Sequence, residues 1–177
     1  MDADDGVIIV APTVLHVGPG SSPLPPWIEA GKETRFDIDA RNEPDIVGDM
    51  CDMGEIGQFD VVFSCHVLEH VSLSGARKAL SEFQRVAKKG GLVIAIVPDL
   101  EGIVPDEHVM YESQAGPVTG LDMFYGMQSL VDQFPHMSHR YGYVSETLAR
   151  EFSGAGLANV LTKRVDGWNL IAFGVKP

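Results

Sequence analysis

Apolar and polar positions along this chain follow two alternating periods. Short apolar, β-branched runs end at glycine, proline or acid over residues 14–17, 34–39, 59–64 and 91–97, and these read as strands. Between the last two runs, residues 73–89 carry helical spacing. Ala76, Ala79, Leu80, Phe83, Val86 and Ala87 share one face, and Arg77, Lys78, Glu82 and Arg85 the other. Lys88 and Lys89 lie where cations favour a helix C-terminus, and Gly90-Gly91 supplies a stop. A second helix is predicted over 145–152, with Ser145 as N-cap and Leu148, Ala149 and Phe152 turned inward. Residues 160–165 and 169–175 read as a closing antiparallel pair, while 7–10 fit a strand and a helical turn equally.

Strands alternating with helices predict an α/β fold: a mostly parallel, doubly wound sheet with an antiparallel C-terminal edge strand. One domain is expected over 1–177, with a binding core at 14–99, an insertion at 101–143 and a closing helix and strand pair at 144–177. The insertion is the least regular part, and loops of that length are usually functional or mobile.

Charge narrows the function. Twenty-five acidic residues against 13 basic ones give a net charge of −12, and the basic residues are scattered. Nucleic-acid binding relies on clustered Lys and Arg, so no nucleic-acid partner is expected. No stretch approaches the ~20 apolar residues of a membrane span, and the first five residues are acidic where a secretory signal is basic. Two cysteines, Cys51 and Cys65, make no disulfide framework. The expectation is a cytoplasmic protein without a membrane partner, monomeric or homodimeric, acting on a small molecule.

Four motifs carry candidate chemistry. His16-Val17-Gly18-Pro19-Gly20 ends the first strand, and its glycines allow a tight turn and close approach of a ligand to the backbone. The third glycine of a dinucleotide fingerprint is replaced by Pro23, and Pro25-Pro26 follow, so no long helix can aim its N-terminus at a pyrophosphate. A nucleoside without diphosphate suits this turn better than a nicotinamide dinucleotide. Asp37 and Asp39 end the second strand on one face, and either can accept ribose hydroxyls, Asp37 being the first choice. Gly48-Asp49-Met50 can read the edge of adenine. The fourth block runs from Phe59 through Cys65, His66, Leu68, Glu69 and His70 to Val71.

In this order and spacing, the motifs resemble the class I S-adenosylmethionine-dependent methyltransferases, and in particular the small bacterial methyltransferase type 11 group. Leu68-Glu69-His70-Val71, the Pro23-Leu24-Pro25-Pro26-Trp27 stretch and Arg85-Val86-Ala87-Lys88-Lys89-Gly90-Gly91-Leu92 carry the resemblance. It implies a Rossmann-like methyltransferase fold, S-adenosylmethionine as cofactor and a small-molecule methyl acceptor. His16, Gly18, Gly20, Asp37, Asp39, Asp49, Met50, Cys65 and His66 are the implied cofactor contacts. His16 stands where the family usually places an acid, and Ser22 where it places a third glycine. His139, just ahead of the second predicted helix, is the candidate general base for a hydroxyl acceptor, with His66 in reserve. Tyr111, Phe124, Tyr125 and Met127 are candidates for a substrate pocket or its lid.

Two other readings are weaker. His66-Val67-Leu68-Glu69-His70 also fits the inverted zinc-protease signature. That signature needs helix on both sides, whereas a β-branched strand precedes His66, so no metal is expected. A cofactor-binding or interaction module without turnover is the other alternative, since a fold does not fix a function.

Overall fold

A computed structural model describes residues 11–113 and 115–177; the run at 7–10 lies outside the described residues. The elements are β1 (Thr13–Val17), β2 (Lys32–Asp37), β3 (Ile46–Val47), β4 (Phe59–Cys65), α1 (Leu73–Val86) and β5 (Ala87–Pro98). They continue with β6 (Val109–Ser113), β7 (Gly116–Thr119), α2 (Gly120–Tyr125), α3 (Gln128–Val131), α4 (Ser145–Gly154), β8 (Ala158–Val165) and β9 (Asn169–Val175).

Seven strands form one sheet in the order β3-β2-β1-β4-β5-β9-β8. The first five are parallel, with Leu15 opposite Thr34 on one side and Val62 on the other. The reversed strand is β9, which sits one in from the rim between β5 and β8 and pairs antiparallel with both. This is the mostly parallel α/β sheet that the alternating pattern predicts.

One face of the sheet carries the main core. Leu15, Val17, Phe36, Val62, Val93, Ala95 and Leu170 pack against Ala79, Leu80 and Phe83 of α1 and Leu148 and Phe152 of α4. Each fully buried side chain of this kind contributes about 1.5–3 kcal/mol. A salt bridge from Arg77 to the buried Glu151 (2.7 Å) joins the two helices above that core. On the other face Val14, Phe63, Ile94 and Ile171 form a smaller cluster. A proline-rich stretch rather than a helix covers it, through Leu24 and Ile28, with Trp27 set edge-on against Phe63 at 5.8 Å. Pro23, Pro25 and Pro26 account for that, since proline interrupts helical hydrogen bonding.

Several boundaries differ from the sequence reading. α1 stops at Val86 rather than Lys89, because Ala87 is already extended and pairs with Phe59. Its last carbonyls are satisfied by the Lys176 ammonium, which donates to Arg85 O (3.0 Å) and Ala87 O (2.9 Å). Ser145 is the first helical residue of α4, not its cap. The Thr147 hydroxyl accepts from Val144 N–H (3.0 Å), while Ser145 Oγ bonds Thr162 on β8 (2.7 Å). The insertion is more ordered than expected: β6 and β7 make a hairpin, and a Thr119/Asp122 capping box starts α2. Among the described residues no helix is long and apolar enough to cross a membrane.

Candidate functional site

The strand order reverses between β1 and β4, and open α/β sheets take ligands in the crevice at such a point, beyond the strand C-termini. The loop after β1 is held open there by backbone geometry. Gly18 has φ +63°, donates its N–H to Phe36 O (2.8 Å), and lies so close to Val67 that a Cβ would fall 2.6 Å from its Cγ2. Gly20, at φ +51°, donates to Asp37 Oδ2 (3.0 Å). The Arg35 guanidinium clamps the same loop through Gly20 O (2.6 Å) and Ser22 O (3.1 Å). Arg35 carries no motif, and nothing in the sequence pattern singles it out.

Asp37, buried at the end of β2, accepts from Gly20 N–H and Asn42 Nδ2 on Oδ2 and from Asp39 N–H on Oδ1. Its Oδ1 keeps acceptor capacity at the crevice. Asp39 is differently occupied: Arg41 binds both of its oxygens, and those hydrogen bonds hold its carboxyl down to about 2. Gly48 N–H donates to Asp37 O (2.9 Å), which brings the next segment alongside. There Asp49 Oδ1 accepts from Cys51 N–H (2.8 Å), and Met50 packs against the main core. The Gly18–Gly20 turn and Asp37 are thus tied together at the strand ends, with the Gly48–Asp49 segment alongside.

Three sequence candidates sit differently. His16 is 2 % exposed, turned to the opposite face against Phe63 and bonded through Nδ1 to Glu33 Oε1 (2.8 Å). It braces β1 against β2 and offers nothing to a ligand. Cys65 packs with the second-face cluster, and burial together with the Glu69 charge pushes its thiol up to about 12. His66 lies beyond the end of β4 and lines a separate cavity there. It caps β4 at φ +54° with its N–H on Ile96 O (2.9 Å), and its side chain is 41 % exposed.

A second group lies beyond the ends of β4 and β5. Leu68–His70 form a single 3₁₀ turn that buries Glu69 to 1 % exposure. Glu69 Oε1 meets His66 Nδ1 at 3.2 Å. The Glu69 carbonyl accepts the N–H groups of Arg140 (2.7 Å) and Tyr141 (3.2 Å), pinning His139 beside it. His139 Nδ1 bonds Met123 O (3.0 Å) and His70 Nδ1 bonds Ser138 O (3.3 Å), with the two rings 5.1 Å apart. Burial raises the cost of a charged Glu69, yet the hydrogen bond from His66 and the charges of His66, His70 and His139 hold its carboxyl below the usual range. Burial likewise pulls His66 down, but the Glu69 hydrogen bond and charge keep it above an ordinary histidine. Desolvation holds His139 below one.

These side chains face a cavity of about 200 Å³ lined by His66, His70, Tyr111, Met123, Met127 and His139. A neighbouring cavity of about 440 Å³ shares Asp122 and His139 with it and reaches Tyr125. Tyr111 stacks on Trp168 at 5.7 Å. Phe124 lines neither cavity. The zinc-protease geometry is not formed, because the 3₁₀ turn and the left-handed His66 replace the helix that would align His66 with His70.

Residues 15–95, a little under half the chain, match the family model described as a methyltransferase domain. The fold is similar to an S-adenosylmethionine-dependent methyltransferase from Clostridium acetobutylicum ATCC 824. That structure is 11 % identical, covering 92 % of this chain and 83 % of the other, with a TM-score of 0.63. N-methyltransferase NodS from Bradyrhizobium japonicum WM9 is 12 % identical over 95 % and 87 % of the two chains (TM-score 0.57). Human N-acetylserotonin methyltransferase, solved in complex with SAM, is 17 % identical over 94 % of this chain (TM-score 0.61), which spans only 48 % of its length. No curated protein matches the chain. Residues 15–95 thus match a methyltransferase domain, and the fold is similar to that of S-adenosylmethionine-dependent methyltransferases.

Proposed function

We propose that this chain binds S-adenosylmethionine across the β1–β4 crevice and transfers its methyl group to a small acceptor held under the 101–143 insertion. The observation that carries this reading is the link between two groups: Gly18 of the β1 turn packs against Val67, the neighbour of His66, and His66 lines the histidine cavity. In this reading Asp37 Oδ1 accepts a ribose hydroxyl, the Gly18–Gly20 turn admits the cofactor to the backbone, and Asp49 with Met50 borders the adenine.

Methyl transfer from a sulfonium is an in-line displacement. The acceptor forms a bond to the methyl carbon as the S–CH₃ bond breaks, sulfur keeps the electron pair, and S-adenosylhomocysteine leaves. Holding the reacting atoms about 3–3.5 Å apart accounts for much of the acceleration. A hydroxyl acceptor must also lose its proton. His139, whose Nδ1 is committed to Met123 O and whose burial shifts it toward the neutral form, is the first candidate for that task, and His66 the second. A small acceptor is supported by the likeness to a structure named for one, N-acetylserotonin methyltransferase, and the mixture of N- and O-methyltransferases leaves the nucleophilic atom to experiment.

The test is calorimetric titration with S-adenosylmethionine of the wild type, Asp37→Ala and Asp39→Ala. Micromolar binding that is lost in Asp37→Ala and kept in Asp39→Ala is expected. A folded wild type that binds no cofactor would overturn the proposal.

A further inference from the structure

Glu69 holds a buried carboxylate oxygen that nothing nearby satisfies. Oε1 is engaged by His66, but Oε2 has no hydrogen-bond partner among the described residues, at 1 % exposure of the side chain. Buried unsatisfied groups are rare in native proteins, and an ion is one of the few things that account for them. Close to the Glu69 carboxylate stand two imidazoles, each engaged through Nδ1 by a backbone carbonyl. A backbone carbonyl only accepts, so the Nδ1 atoms of His70 and His139 carry the protons they give to Ser138 O and Met123 O. In the neutral form of each ring, Nε2 then carries the free lone pair. Histidines that ligate metals are oriented in this way, by a hydrogen bond from the other ring nitrogen.

We propose that Glu69, His70 and His139 form a divalent metal site of the zinc type, with its open coordination position facing the 200 Å³ cavity. One ligand atom from each of the three residues lies within 4.8 Å of the other two. Bonds of about 2.0–2.2 Å set tetrahedral ligand atoms roughly 3.4 Å apart, so the widest gap closes by at most about 1.4 Å on binding. His139 supplies that movement, since it stands at the end of the insertion while Glu69 and His70 are fixed at the end of β4. Two imidazoles and one carboxylate suit zinc and its first-row neighbours, whereas magnesium and calcium favour oxygen donors. His66 is outside the set and orients Glu69 through Oε1.

The site deepens the methyl-transfer reading and rests on it for its use, though not for its existence. With His139 taken up as a ligand, the role of base passes to His66 or water: a hydroxyl acceptor bound at the open position is acidified by the cation and loses its proton there. The resulting oxyanion forms the O–CH₃ bond as the S–CH₃ bond breaks, with the sulfur electron pair leaving on S-adenosylhomocysteine. The acceptor class is therefore a hydroxyl compound, and a second oxygen able to chelate would strengthen its hold.

The test uses the full chain, freed of metal with a chelator and titrated with Co²⁺ by visible absorption and with Zn²⁺ by calorimetry. The wild type is expected to take up one equivalent with the intense bands of a low-symmetry site. His139→Ala and His70→Ala are expected to weaken uptake at least 100-fold, while His66→Ala retains it. Circular dichroism of each variant separates lost ligation from lost fold, and His139→Gln supplies a second variant of similar size. A folded wild type that takes up no stoichiometric metal, or uptake unchanged in both alanine variants, would overturn the proposal. Cofactor titration in parallel keeps the two proposals apart. Cofactor binding without metal removes only the metal site, and metal binding without cofactor removes only the methyl-transfer reading.

Discussion

Replacing Gly18 by alanine tests how the β1 turn is joined to the residues that carry the histidines. At φ +63° an alanine pays about 1–2 kcal/mol for the left-handed conformation. Its Cβ would also meet Val67 Cγ2 at 2.6 Å and Cγ1 at 3.1 Å, with Val67 Cβ itself at 3.4 Å. A β-branched side chain has few rotamers to escape into, and overpacking of this kind costs about 1–3 kcal/mol. Gly18→Ala is thus expected to lose about 2–5 kcal/mol, out of a total of ~5–15 for a domain. With a urea slope of about 2 kcal/mol/M, the unfolding midpoint falls by roughly 1–2.5 M. Adding Val67→Ala separates the two terms. The double variant should keep the backbone cost and shed the clash, giving a coupling energy of about 1–3 kcal/mol relative to the single variants. Effects that add within about 0.5 kcal/mol would refute the contact. Because Val67 directly precedes Leu68–His70, the single variant should also disturb the cavity. Cofactor affinity recovered in the double variant would show that the clash, not the lost glycine, blocks the site.

Two further outcomes follow from the geometry. Burial holds His16 below an ordinary histidine although Glu33 opposes the shift. The unfolded chain therefore binds a proton more readily, and stability present above pH 6.5 is lost as the pH falls toward the folded value. Urea midpoints at pH 7.5 and 5.5 should show a smaller acid loss in His16→Gln than in the wild type, and equal losses would refute this. Arg164→Met leaves Asp99, 2 % exposed, with only the Glu101 N–H in place of a 2.7 Å guanidinium contact. An expected loss of about 1–3 kcal/mol is checked by urea unfolding, and a loss below 0.5 would show that water serves Asp99 as well.

What the sequence shows and what it hides divide along the distance over which the controlling contacts act. β4, β5 and β9 are legible because both of their faces are covered, which demands unbroken apolar runs. The two-residue β3 is too short for any period to register. β2 is read two residues late. Its first half, Lys32-Glu33-Thr34-Arg35, is polar yet paired along β1, with Glu33 answering His16 and Arg35 clamping the glycine turn. The short elements of the insertion escape periodicity altogether, although Thr119-x-x-Asp122 is a local signal for the start of α2. The crevice was legible for the same reason as β4: glycine turn and acidic strand end are each set by neighbours in sequence. Asp37 and Asp39 could not be separated from sequence, because Arg41, which occupies Asp39, leaves no periodic trace. The Glu69 cluster was not legible, since His139 is carried to it by a tertiary bond to a backbone carbonyl.

That carbonyl also separates two roles of Glu69. Its backbone oxygen pins Arg140 and Tyr141, and any residue at this position could supply that bond. The carboxylate is not needed for it, and a buried ionised group is a poor source of stability compared with an apolar side chain of similar volume. Nor does the ion pair with His66 justify the burial, because that imidazole is 41 % exposed and reaches only one of the two oxygens. The remaining oxygen has no hydrogen-bond partner among the described residues, and the carboxylate lies near two histidines whose Nδ1 atoms are both committed to backbone carbonyls. A side chain that contributes little to the fold, grouped with two histidines that line the cavity, belongs to the chemistry of that cavity.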